Sequence, residues 1–184
     1  MIVCDTGPLV ALSNERDEHY FAANNLFRDL HMAGETLVLP ATVLAETCYW
    51  LNEHGGPDLE AAFLDAIADG TFKLVDLTID DVEWMAELVR HFSSFPLGGT
   101  DASVVAVAER LGVSEIATFD RRHFPATTPK GGGHFTLLRR PCDGQRSASS
   151  PQEVTPRPML AQVAQRPRGR VSAGQTAFPG SDQR

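Results

Sequence analysis

The chain alternates short runs of apolar residues with longer stretches in which apolar side chains recur every three or four positions. MIVC at the start is a continuous apolar run ending at Asp5, the form of a strand buried on both faces. Helical periodicity then covers the segment from Glu18 to Met32, and a second apolar run, TLVLP, ends at Pro40. Two helices follow, Ala41–His54 and Leu59–Asp69, separated by the turn-forming GGPD. Next come the strand FKLVDL, a long helix from Asp80 to Phe92 and the loop SSFPLGG. A helix over Asp101–Leu111, the strand EIATF ending at Asp120, and HFTLL as a last edge strand complete the pattern. Strands separated by helices pair in parallel through right-handed crossovers. The prediction is therefore an α/β chain, a three-layer α/β/α sandwich with a short, mainly parallel sheet.

The pattern stops after Pro141. Residues 142–184 are rich in Gln, Arg, Pro, Ser and Gly and carry no sustained apolar period. Such a segment buries too little surface to offset the entropy of ordering. Two regions are expected: a folded domain over 1–141 and a disordered tail over 142–184. The charge divides at the same place. Up to Pro141, 10 Lys and Arg face 21 Asp and Glu, whereas 6 Arg face 3 acids beyond it, for a net −8. An acidic body argues against a broad basic surface for nucleic acid. It permits a metal site that brings its own positive charge, or a basic protein partner.

No apolar run approaches the length of a bilayer span, so no membrane partner is expected. The opening MIVCDTGPLVAL lacks a basic leader and carries Asp5 in its middle, unlike a secretory signal. Cys4, Cys48 and Cys142 are odd in number and far apart, which gives neither a disulfide framework nor a zinc pattern. A reducing cytoplasm is the expected setting, with Cys4 and Cys48 as small core residues.

Four acids carry the candidate chemistry. Asp5 and Asp120 each follow an apolar strand directly, and in an open parallel sheet ligands gather at the carboxyl ends of strands. Asp101 precedes Val104 and Val105 at helical spacing and shares the stripe they form with Ala108 and Leu111. Buried there, a carboxylate is costly without a partner or a metal. Glu46 falls just beyond the Trp50 edge of an apolar arc of Val43, Leu44, Thr47, Cys48, Trp50 and Leu51. Each acid has a structural reading as well. Asp5 could cap a helix whose Pro8 follows closely, Thr100 could cap the helix of Asp101, Asp120 could form a turn, and Glu46 could be solvated. Helices that follow the strands begin at the same sheet edge, so the N-terminal turn holding Asp101 can meet Asp5 and Asp120 there. Carboxylates so gathered repel one another unless hard divalent cations neutralise them. Mg²⁺ or Mn²⁺ suits oxygen donors, whereas zinc would call for His or Cys nearby. Of the six histidines only His123 adjoins a site motif, and it reads as structural, while Arg121 and Arg122 read as a solvated turn.

CDTGPLVAL, LPATVLAETCYWL, GGTDASVVAVAERLG and IATFDRRHF, in that order over about residues 1–140, resemble the PIN domain, and more narrowly the VapC-type ribonuclease toxins of toxin–antitoxin modules. The resemblance implies an α/β/α fold and a Mg²⁺- or Mn²⁺-dependent endoribonuclease that leaves a 5′-phosphate. It also implies RNA as substrate, a cognate antitoxin that blocks the acidic cleft, and a homodimer. Carried over by position, Asp5, Glu46, Asp101 and Asp120 would be the catalytic, metal-binding acids. Thr6 and Thr118 fall where the family often has hydroxyl residues beside its aspartates.

Three other readings compete. Asp5-Thr6-Gly7 matches the short signature of aspartic proteases, which need two such motifs on an all-β scaffold that the helical periodicity contradicts. A receiver-like phosphoacceptor also gathers aspartates at strand ends but needs a nearby lysine, and Lys130 lies in a Gly-rich loop. A non-catalytic PIN-like domain kept for partner binding would tolerate loss of the acids, yet all four are present.

Overall fold

The computed structural model describes residues 1–94, 97–127, 129 and 132–138. The expected tail over 142–184 lies outside the described residues. The elements run β1 (Ile2–Cys4), α1 (Thr6–Leu12), α2 (Tyr20–Met32), β2 (Leu37–Pro40), α3 (Ala41–Gly55), α4 (Pro57–Ala68), β3 (Lys73–Val75), α5 (Ile79–His91), α6 (Gly99–Leu111), β4 (Glu115–Ala117), α7 (His123–Ala126) and β5 (Thr136–Leu138).

The five strands form one parallel sheet in the order β3-β2-β1-β4-β5. β1 and β2 are buried throughout, as their unbroken apolar runs require, β4 is buried beyond its first residue Glu115, and the edge strands β3 and β5 are partly exposed. From β1 the chain moves outward through β2 to β3, then crosses back to β4 and on to β5. Right-handed crossovers therefore lay α1–α4 on one face and α5–α7 on the other, giving the three-layer α/β/α sandwich. Within each face α1 touches α2 and α3, α3 touches α4, α5 touches α6, and α6 touches α7, while α3 and α6 meet between the two faces.

Beneath α2–α4 the Phe27, Phe63 and Phe72 rings pack edge to face or tilted, about 6 Å apart. Burying each contributes roughly 1.5–3 kcal/mol. On the other face α6 is buried on nearly every side from Ala102 to Ala108. Its small side chains let it press close to the sheet, and Gly112 ends it in a left-handed cap with φ 65°. Cys4 and Cys48 are buried free thiols, and burial pushes both above the ordinary thiol range. Among the described residues no helix is long and apolar enough to cross a membrane.

Several boundaries differ from the sequence reading. Helix α1 entered the sequence reading only as a helix that Asp5 could cap, because TGPLVAL is short and contains Gly7 and Pro8, both weak helix formers. Its formation is tertiary: Asp5 caps it and Leu9, Ala11 and Leu12 are buried. The GGPD separator shrinks to Gly56, since Pro57 opens α4 at a first-turn position that proline favours. The strand expected through EIATF stops at Ala117, where the chain turns toward Asp120. Trp50 leaves the buried arc of α3 and is 41% exposed. The cap of α6 is Gly98 rather than Thr100.

Candidate active site

The outward path from β1 and the return to β4 diverge between these two strands. This is the topological switch point, where connections leave a crevice outside the carboxyl ends of the strands. Asp5 follows β1 and Asp120 lies three residues past β4. Parallel pairing extends one step beyond β1, with Asp5 N donating to the Ala117 carbonyl at 3.0 Å. That brings the residues after each strand side by side.

Asp5 is 6% exposed. Its Oδ1 accepts from Thr6 N and its Oδ2 from Thr118 Oγ1, both at 2.7 Å. The capping role and the buried-acid role are thus held by one side chain. Burial pushes its carboxyl up to about 6, and the charges of Asp101 and Asp120 add to the rise, while Thr118 and Thr6 oppose it. Thr6 Oγ1 donates to Glu46 Oε2 at 2.6 Å, tying the start of α1 to the middle of α3. Thr118 in turn accepts from Asp120 N at 2.9 Å, so one hydroxyl joins Asp5 to the backbone of Asp120.

Asp101, in the first turn of α6, is half-buried, and its Oδ2 accepts from Gly98 N at 3.2 Å. A Cβ at position 98 would stand 3.3 Å from that oxygen, so glycine leaves the carboxylate room. Burial raises the Asp101 carboxyl above its ordinary range, with Asp120 and Glu46 adding to the rise, and Gly98 N–H and His123 opposing it. Asp120 behaves in the opposite way. Burial works against its ion, but the N–H groups of Arg122 and His123 and the His123 ring outweigh burial and hold the carboxyl below the usual range.

The fold therefore brings all four acids into one electrostatic group: Asp5 feels Asp101 and Asp120, and Asp101 feels Glu46. Side-chain donor atoms of Asp101, Asp120 and His123 lie within 4.8 Å of one another, a spacing that a bound cation could bridge. His123, which sequence reasoning set aside as structural, places Nδ1 against Asp120 Oδ2. The signal that could have found it is its place three residues after a strand-end aspartate, one helical turn away. Two further residues were missed. Ser103, fully buried on α6, donates Oγ to the Thr100 carbonyl at 2.6 Å and meets Thr42 Oγ1 at the first turn of α3. A cleft of about 650 Å³ near Trp84 and Phe135 lies at the opposite edge of the sheet, and none of the four acids lines it.

A short parallel α/β/α sheet with acids at its switch point defines the class. The chain belongs to the PIN domain family, whose sequence pattern matches residues 2–128. Within that family it is VapC-like: it is 31% identical over 137 residues to Ribonuclease VapC26 of Mycobacterium tuberculosis, covering 74% of this chain and 99% of that protein. The fold is similar to that of VapC20 of Mycobacterium tuberculosis, a sarcin–ricin-loop-cleaving toxin, at a TM-score of 0.64 and 22% identity over 76% of this chain and 100% of that one. It is also similar to VapBC2 of Rickettsia felis bound to a DNA fragment from their promoter, at a TM-score of 0.54 and 20% identity over 75% of this chain and 98% of that one.

Proposed function

We propose that this protein is a Mg²⁺- or Mn²⁺-dependent endoribonuclease that hydrolyses RNA phosphodiester bonds, the toxin of a toxin–antitoxin pair. In this reading Asp5, Glu46, Asp101 and Asp120 are its catalytic, metal-binding acids. The observation that carries the proposal is the convergence of these acids at the switch point, with Asp5 so buried that its carboxyl is pushed up to about 6. Such a group is costly as a set of anions and becomes favourable around a cation. The mostly carboxylate donor set suits a hard divalent ion.

When bound, Mg²⁺ or Mn²⁺ supplies an activated water and neutralises charge on the phosphate. Asp101 and Asp120 would hold the ion, with Asp5 fixed by Thr6 and Thr118 and Glu46 held by the Thr6 hydroxyl. Arg121 and Arg122 are exposed beside Asp120, where they can meet phosphates flanking the cut. The folded body is otherwise acidic, so RNA is drawn chiefly by the loaded site.

Similarity to Ribonuclease VapC26 supports RNA as the substrate. Similarity to VapBC2 supports an antitoxin partner. The acidic cleft favours a basic antitoxin segment whose Arg enters among the carboxylates in place of the metal. The family also favours a homodimer. We further assign the catalytic unit to residues 1–141 and leave it separate from the Arg-bearing segment 142–184.

The test is RNA cleavage by the purified full chain with Mg²⁺ or Mn²⁺, with EDTA, and as Asp101→Asn. Loss of cleavage with chelator and with the variant is expected. Cleavage that survives both overturns the assignment.

A further inference from the structure

The oxygens of the four acids are not equally available. Asp5 has Thr6 N on Oδ1 and Thr118 Oγ1 on Oδ2. Glu46 Oε2 holds the Thr6 hydroxyl. Asp120 Oδ1 accepts two backbone N–H groups, from Arg122 at 2.6 Å and His123 at 3.2 Å, which pin that oxygen inside its own turn. Its other oxygen, Oδ2, faces the His123 ring. A cation taken by Oδ2 and the ring nitrogen together replaces the proton that now lies between them, which is released to solvent.

The distances suit this. Ligands at about 2.1 Å from a common ion lie at most about 4.2 Å apart. The donor atoms of Asp101, Asp120 and His123 already fall within 4.8 Å, so the widest pair closes by up to about 0.6 Å while the His123–Asp120 contact opens to admit the ion. The ring is also well placed to stay there. His123 opens α7, whose next residue, Phe124, is fully buried and whose end is held by Thr127 Oγ1 donating to the Phe124 carbonyl at 2.8 Å. A preset ring loses little side-chain freedom on ligation.

We propose that His123 is a nitrogen ligand of the cation in the acidic cleft, joining Asp101 and Asp120 among the four acids, so that the centre selects Mn²⁺ over Mg²⁺. The chemical reason is donor type. Mg²⁺ keeps to oxygen and water, whereas imidazole favours first-row transition ions. The inference rests on the metal-dependent reading above and deepens it by naming a ligand outside the four acids and the ion that ligand prefers.

The experiment uses the metal-stripped full chain, with Mn²⁺ and Mg²⁺ as separate probes in titration calorimetry, and pulsed electron paramagnetic resonance of the Mn²⁺-loaded protein. Wild type is expected to bind Mn²⁺ about tenfold or more tighter than Mg²⁺ and to show ¹⁴N modulation from a directly bound imidazole. His123→Asn keeps an amide that can still donate to Asp120. It is expected to lose the nitrogen signal and about tenfold in Mn²⁺ affinity, with Mg²⁺ affinity changed less than about threefold. The wild-type spectrum needs no variant, so a misfolded His123→Asn does not shield the proposal. A Mn²⁺-loaded wild type without ¹⁴N modulation, or a Mn²⁺ preference unchanged in folded His123→Asn, overturns the role of His123 and leaves the metal reading standing. If wild type binds neither ion, the metal reading fails and this inference falls with it.

Discussion

Thr118 Oγ1 donates to Asp5 Oδ2 at 2.7 Å across 113 positions of sequence, and the same oxygen accepts the Asp120 amide at 2.9 Å. One fully buried hydroxyl thus sets the spacing of two strand-end aspartates. Thr118→Val keeps the shape and removes both bonds. It is expected to cost about 1–3 kcal/mol, because the Asp5 oxygen and the Asp120 N–H are left without their partner. RNA cleavage should fall about tenfold or more, as for other groups that orient metal ligands. Thr118→Ser should retain most of both. Urea unfolding and cleavage rates check the pair of variants, and a Thr118→Val protein equal to wild type in both would remove Thr118 from the site.

Asp5 makes the metal-free protein sensitive to pH in a definite direction. Its carboxyl is raised from 3.8 to about 6, so between those values the folded chain holds a proton that the unfolded chain releases. Stability therefore falls as pH rises through that window, by up to about 3 kcal/mol from this group. Asp5→Asn removes the fall and should be more stable than wild type at pH 7.5 in EDTA. The gain is smaller than the full linkage value, because an amide can accept only one of the two bonds made to Asp5. Urea unfolding at pH 4.5 and 7.5 checks this. An identical pH difference for wild type and Asp5→Asn would contradict it.

Thr42 and Ser103 fasten α3 to α6 near the acids these helices carry. The Ser103 proton is committed to the Thr100 carbonyl, so Thr42 is the donor in their mutual bond. Thr42→Val and Ser103→Ala should then be non-additive, with a coupling of about 1 kcal/mol in a double-mutant cycle. Additive losses in thermal or urea unfolding would show that the two hydroxyls act separately.

Away from the four acids, Arg110 Nε lies 3.0 and 2.9 Å from the two oxygens of Asp81, and its Nη2 donates to the Asp76 carbonyl at 3.0 Å. Burial acts against the Asp81 ion, but Thr78 and Arg110 outweigh it and lower the carboxyl. A lowered acid contributes stability above its unfolded pKa that is lost as pH falls through the folded one. Asp81→Ala should cost about 2–3 kcal/mol at pH 7, less than a fully buried pair because Arg110 can turn to water. Mn²⁺ binding should be unchanged, which calorimetry on the folded variant checks.

The strands and long helices were legible because burial on both faces leaves unbroken apolar runs such as MIVC and TLVLP, and burial on one face leaves a helical period. The short pieces were not. Helix α1 and helix α7 have seven and four residues, too few to carry a period, and they stand on packing of Leu9, Leu12 and Phe124. Asp5 and Asp120 were readable from strand ends and Asp101 from a helix start, whereas Glu46, in the middle of α3, was singled out by the family resemblance. The place of the His123 ring was not readable, because a position three residues after Asp120 permits contact with the carboxylate without deciding whether the ring faces it or solvent.

By itself, then, the sequence determined the layer architecture and which acids stand at the carboxyl edge of the sheet, since both follow from local period and chain order. Tertiary structure alone decided which of those acids is buried, which oxygens are already bonded, and that an imidazole stands at Asp120. These depend on directional contacts closed over 40, 61 and 113 residues, at Thr6–Glu46, Thr42–Ser103 and Thr118–Asp5. A hydrogen bond of that kind is set by a few tenths of an ångström between distant segments, and no local pattern of hydrophobicity encodes it.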